Sequence, residues 1–126
     1  LSATLDDLDY HRQLADRGAY LEYDFFGFDH ALIEAGKWVY SDWESVRAVI
    51  ELVNNGLINQ LLLSHDVGVK LRLKEYGGFG YAHLLEHIAP LFIQYGLDHD
   101  QVNQMVTANP QRVLAFGTEP PNLHNP

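Results

Sequence analysis

Three consecutive leucines, Leu61, Leu62 and Leu63, run straight into Ser64, His65 and Asp66. The run is short and preceded by Asn59 and Gln60, so it reads as a β-strand covered on both faces rather than an amphipathic one. Strands of that kind belong to parallel α/β sheets. In such sheets ligands and catalytic groups collect at the C-terminal strand ends, where loops converge over a rigid support. The switch from leucine to histidine and aspartate is therefore the first place to look for chemistry.

The rest of the sequence sets this strand in an ordered series of elements. Residues 5–17, with Leu8 and Leu14 among charged neighbours and Gly18 placed to end them, predict a helix. The segment 19–24 (AYLEYD) predicts a strand, since its aromatics suit a pleated surface. Residues 25–40 predict a loop containing Gly27 and Gly36, with one short helical turn around residues 31–35. Ser41 and Glu44 form a capping box, and behind it Trp43, Val46, Ile50 and Val53 recur at helical spacing until Gly56. After LLLS and a glycine-rich loop, residues 81–95 predict a helix with Leu84, Ile88, Leu91 and Tyr95 on one face, bent near Pro90. Asp98, with Gln101 at the third position, caps another helix, and Asn109-Pro110 starts a last short one. Residues 1–116 form the folded portion, and 117–126 (GTEPPNLHNP) predict a disordered tail.

Helix, strand, helix, strand, helix, helix is the order of βα units around a parallel sheet. Two strands are too few, because a hydrophobic parallel pair needs neighbours on both edges. A complete (β/α)8 barrel takes roughly 250 residues, and this chain has 126. The expected fold is α/β, the C-terminal fragment of a TIM barrel comprising about its last two βα units. The chain begins at Leu rather than Met, which points to a lost or processed start. Alone, it is expected to be inactive and either unstable or self-associating.

Composition narrows the chemistry. A hydrophobic content of 47% is that of one globular domain. The formal charge of −9, with only eight Lys and Arg, argues against a broad nucleic-acid surface. Without cysteine, any metal must sit on His, Asp, Glu or a modified side chain. There is no signal-peptide pattern and no apolar span of roughly 18 residues, so a cytoplasmic protein without a membrane partner is expected.

Each candidate residue carries a structural reading beside the chemical one. Asp66 reads as a metal ligand or general base at a strand end, or as a turn cap. His65 reads as a supporting group behind it or as a packed imidazole. His83-Leu84-Leu85-Glu86-His87 matches the inverted zinc-protease pattern, but the later acidic residues are only Asp98, Asp100 and Glu119, so no helix-borne downstream glutamate is available to close a site. Tyr76-Gly77-Gly78-Phe79-Gly80-Tyr81 lacks the Gly-Lys-Ser/Thr ending of a phosphate loop and reads as a loop with unusual backbone angles. Lys70, Arg72 and Lys74 read as a solvated rim or as an attractor for a polar substrate. At the other strand end, alternation places Glu22 and Asp24 opposite Tyr23, so either Asp24 or Tyr23 faces the crevice.

The segments LLLSHDV, KLRLKEYGGFGYAHLLEHIAPLF and TANPQRVLAF, in that order, resemble the C-terminal end of the phosphotriesterase family. LADRGAYLEYDFFG is similar to that family's seventh strand and the turn after it. The family comprises phosphotriesterase-related proteins and lactonases of the amidohydrolase superfamily of (β/α)8 barrels. The resemblance implies a hydrolase in which a metal-bound hydroxide attacks an ester, lactone or phosphotriester, with about two zinc ions per complete enzyme. It implies that Asp66 is both a metal ligand and the group that takes the hydroxide proton. Tyr23, Asp24, Phe25 and Phe26 would line the leaving-group side, and Lys70, Arg72 and Tyr76 the loop that covers a small-molecule substrate. The family's first-strand histidines, bridging carboxylated lysine and fifth- and sixth-strand histidines would all precede residue 1. The sequence leaves the oligomeric state open, with a homodimer as one assembly. Two other readings compete: a noncatalytic α/β binding or assembly module, and the inverted zinc protease.

Overall fold

A computed structural model describes residues 1–28 and 40–115. The helical turn expected around 31–35 and the tail 117–126 lie outside the described residues.

Helix α1 (Leu8–Asp16) starts where the Asp7 side chain accepts the Tyr10 N–H and stops before Gly18, whose φ of +84° no branched side chain adopts easily. Strand β1 (Leu21–Tyr23) follows, then helix α2 (Asp42–Asn54), whose Ser41/Glu44 capping box forms in both directions. Strand β2 (Leu61–Leu63) pairs with β1 in parallel, Leu21 level with Leu61 and Tyr23 with Leu63. The expected βαβ unit is thus present. The Gln60 amide donates to the Ala15 and Ala19 carbonyls and ties the end of α1 to the start of β2.

The helices beyond β2 differ from the sequence reading in their continuity and in the face that Tyr95 occupies, which is exposed. Residues 98–114 form one continuous helical stretch instead of two helices: α4 (His99–Asn103), a π-turn (Gln104–Ala108) and α5 (Asn109–Leu114). A second π-turn (Leu84–Ile88) leads into α3 (Ala89–Gln94). Each π-turn ends just before a proline, with the Ala89 N–H on the Leu84 carbonyl and the Asn109 N–H on the Gln104 carbonyl. Proline lacks an N–H and its ring crowds the carbonyl one turn back, so a locally widened turn lets the helix continue. Asn109-Pro110 is thus a widened joint, not a start.

Leu21, Leu61, Val49, Leu52, Phe92 and Met105 meet in the core with essentially no exposed surface. Glu22, level with Leu62, is exposed, and Leu62 and Leu63 are half-buried. The expected burial on both faces is therefore complete only at Leu61, because the packed helices cover one face of this two-stranded sheet. Trp43, placed by periodicity on the buried stripe, is 40% exposed and tilts against Tyr95.

Candidate functional site at the strand ends

The pairing of the two strands extends one step past β2, where the Ser64 N–H donates to the Tyr23 carbonyl at 2.8 Å. Beyond it the chain turns sharply. Asp66 has φ +37°, the sole positive φ among the described non-glycine residues. Its side chain is exposed, and its carboxylate takes no hydrogen bond from any described residue. His65 is tied down instead: its Nε2 lies 2.6 Å from the Tyr81 carbonyl, so that nitrogen carries a proton and donates it.

Arg72 departs from the sequence reading. Its side chain is only 5% exposed and so forms no rim. The guanidinium donates to the Asp66 carbonyl and, at 3.0 Å, to the Phe26 carbonyl, and it lies 3.6 Å over the Phe28 ring. One buried cation thereby joins the segments after β1 and β2. Burial lowers its pKa, and the charges of Asp66 and Asp42 oppose that shift. The glycines of YGGFGY make room for it: the Gly80 N–H donates to the Arg72 carbonyl at 2.7 Å, and a Cβ on Gly78 would stand 2.3 Å from the Arg72 carbonyl carbon.

On the β1 side, Tyr23 turns away from the strand-end surface. Its ring is fully buried and its hydroxyl lies 2.6 Å from His11 Nδ1. His11 Nε2 in turn meets the Thr4 hydroxyl at 2.8 Å, and that hydroxyl donates to the Leu1 carbonyl. The sequence left the choice between Tyr23 and Asp24 open, and Asp24 occupies the opposite, half-buried position. The buried Ser2 hydroxyl donates to the Asp24 carboxylate at 3.0 Å and accepts the Asp24 and Phe25 N–H groups. Phe25 stacks on Phe28, whereas Phe26 is buried edge-on to Phe92 and belongs to the core. Lys70 and Tyr76 are exposed on the loop after β2.

Two residues that sequence reasoning passed over act here: Ser2, beside Asp24, and Asp42. Asp42, inside the capping box, accepts the Gly27 N–H at 2.7 Å and faces His83 Nε2 at 2.6 Å. His83 is buried, stacks on Phe79, and meets His87 through their Nδ1 atoms at 3.3 Å. Glu86 pairs with Lys74, and this contact holds its carboxyl below the usual range. The polar groups of HLLEH are therefore engaged in holding the fold. Nothing in the sequence linked Asp42 to His83, because they come from different elements. Ser2 carried no signal either.

Among the described residues no group of three or more His, Asp or Glu side chains is arranged to hold a metal ion, and no helix is long and apolar enough to cross a membrane. The phosphotriesterase family model matches residues 2–114. The chain belongs to the phosphotriesterase family. A phosphotriesterase-related protein of Drosophila grimshawi is 41% identical over 118 residues, covering 92% of this chain and 34% of the fly protein. This member of the phosphotriesterase family thus spans about a third of the length of the curated relatives it matches. A resiniferatoxin-binding protein of Rhodobacter sphaeroides superposes with a TM-score of 0.84 at 39% identity, over 89% of this chain and 31% of its own. The phosphotriesterase homology protein of Escherichia coli, solved with phosphate in its active site, gives 0.75 at 31% identity over 85% and 34%. A lactonase of Listeria monocytogenes gives 0.73 at 29% identity over 90% and 34%. These neighbours are TIM-barrel proteins of the phosphotriesterase family, each matched over about a third of its length. Such likenesses support assignment to a hydrolase family.

Proposed function

We propose that this chain supplies the C-terminal part of a metal-dependent hydrolase acting on esters, lactones or phosphotriesters, with Asp66 in the active site. The observation that carries the reading is the Asp66 carboxylate, exposed at the end of β2 and bonded to no described residue, in a chain whose relatives include a lactonase. A carboxylate free of hydrogen bonds at a strand end suits a hard or borderline divalent cation such as zinc, and Asp66 would be one ligand where catalytic zinc takes several protein ligands plus water. The remaining ligands would come from the preceding part of a complete barrel. Bound zinc supplies a Lewis acid and lowers the pKa of water.

The chain's own residues have defined tasks in this reading. Asp66 takes the proton of the attacking water, at an oxygen with no competing donor among the described residues. Asp24, fixed by Ser2, and Phe25 form one wall for a small-molecule substrate. Lys70 and Tyr76 form the opposite wall, where a cation and a phenol favour a developing negative charge. Tyr23, Phe26 and Arg72 support these walls from behind. A homodimer and a cytoplasmic location complete the proposal.

The test is Asp66→Asn in the complete protein, read by zinc content and by hydrolysis of δ-valerolactone and a nitrophenyl phosphotriester. Loss of zinc together with loss of hydrolysis supports the reading. Retention of both would leave the noncatalytic binding module, the reading favoured by the relative named for binding resiniferatoxin.

A further inference from the structure

The left-handed backbone of Asp66 needs an explanation. A residue with a Cβ holds such an angle only where its surroundings fix it, and Asp66 is exposed with no bond from any described residue to its side chain. What the structure does attach is its carbonyl. That oxygen accepts from Arg72, whose second amino group is anchored on the Phe26 carbonyl and whose plane rests on Phe28. Arg72 is itself held, since its carbonyl accepts the Gly80 N–H and its backbone passes Gly78 too closely for any side chain there. The guanidinium is thus a fixed brace with one arm on each strand-end segment.

Resting on the function proposed above, we propose that Arg72 is a positioning residue for Asp66, setting through the Asp66 carbonyl the backbone angle that aims the carboxylate at the metal. The choice of arginine follows from geometry. Two carbonyls on different segments require two divergent N–H donors in one rigid plane, which a lysine ammonium on a flexible stem does not reproduce. Its burial keeps it from touching substrate, so it acts only through Asp66 and the Phe26 turn.

The experiment measures zinc affinity of the complete protein by competition with a chelator, for the native sequence, Asp66→Ala, Arg72→Ala and Arg72→Lys, with folding followed by circular dichroism. Removing a group that orients a ligand typically costs about 10–100-fold in metal affinity. We expect a loss of that size for the Asp66-dependent zinc in both Arg72 variants, with sub-denaturing guanidinium restoring Arg72→Ala but not Arg72→Lys. A merely structural role predicts zinc loss in proportion to the unfolded fraction and no rescue. If Arg72→Ala does not fold, Arg72→Lys, which keeps the stem and charge, decides alone. Native zinc affinity in folded Arg72→Lys would overturn the proposal while Asp66 stands. Native affinity in Asp66→Ala would instead overturn the functional reading beneath it.

Discussion

The Asn109 side chain donates to the Leu61 carbonyl at 2.7 Å across 48 residues of sequence. The same amide nitrogen donates to the Ile58 carbonyl at 2.7 Å, and its oxygen accepts from Gln104. A fully buried asparagine at the π-turn thus satisfies the backbone at the entrance to β2. Without it the first residue of the strand would be buried with a bare carbonyl.

Replacing Asn109 by Ala should cost about 1–3 kcal/mol for the Leu61 carbonyl left bare, while the Ile58 carbonyl keeps the Leu61 N–H. Asn109→Asp should be worse, because its carboxylate faces two carbonyls with no proton to offer. Urea unfolding of both variants checks the order, and an Asp variant as stable as the native chain would refute this role.

His11 gives folding a pH dependence. Burial depresses its pKa, and a hydrogen-bond chain from the Tyr23 hydroxyl through the neutral ring to Thr4 leaves no place for a second ring proton. A lowered folded value means that the unfolded chain binds the extra proton first. The contribution is complete above the unfolded value of 6.5 and declines as pH falls through 6.5 toward the folded pKa. Urea midpoints should therefore drop between about pH 7.5 and about pH 5.5, with the His11 ring resonances unmoved above 6.5. An NMR titration placing His11 at or above 6.5 would contradict this.

The paired glycines of the loop should respond unequally to alanine. At Gly77 an added Cβ meets nothing within 4 Å, and the cost is the positive φ alone, about 1–2 kcal/mol. At Gly78 it would lie 2.3 Å from the Arg72 backbone, so one of the two segments must move. Gly78→Ala should be clearly the more destabilising, and equal unfolding midpoints would show that the loop does not pack on Arg72.

Local signals in the sequence foretold most of the elements. Both capping boxes and the helix-ending Gly18 depend on adjacent residues, so they could be read without tertiary knowledge. The parallel strand pair followed from the length and composition of its runs. Periodicity failed where the helix changed pitch. The widened turn before Pro90 shifts the phase, so Phe92 is buried while Tyr95, expected on the apolar face, is exposed. At the strand ends Asp66 was visible because polarity switches there. Arg72 was noticed only as a rim or substrate-attracting charge, and its bracing role, like the roles of Ser2 and Asp42, was not legible, because their partners are backbone groups or side chains brought from other elements.

The two-stranded sheet has a consequence of a practical kind. Strands β1 and β2 each pair on one side only among the described residues, while helices already cover one face. A separately expressed piece carrying complementary strands would meet edges that are partly closed, since the Leu1 amino group holds the Glu22 carbonyl and Asn109 holds the Leu61 carbonyl, on a core that is already packed. That is the layout of one half of a split reporter, in which signal depends on two inactive pieces finding each other.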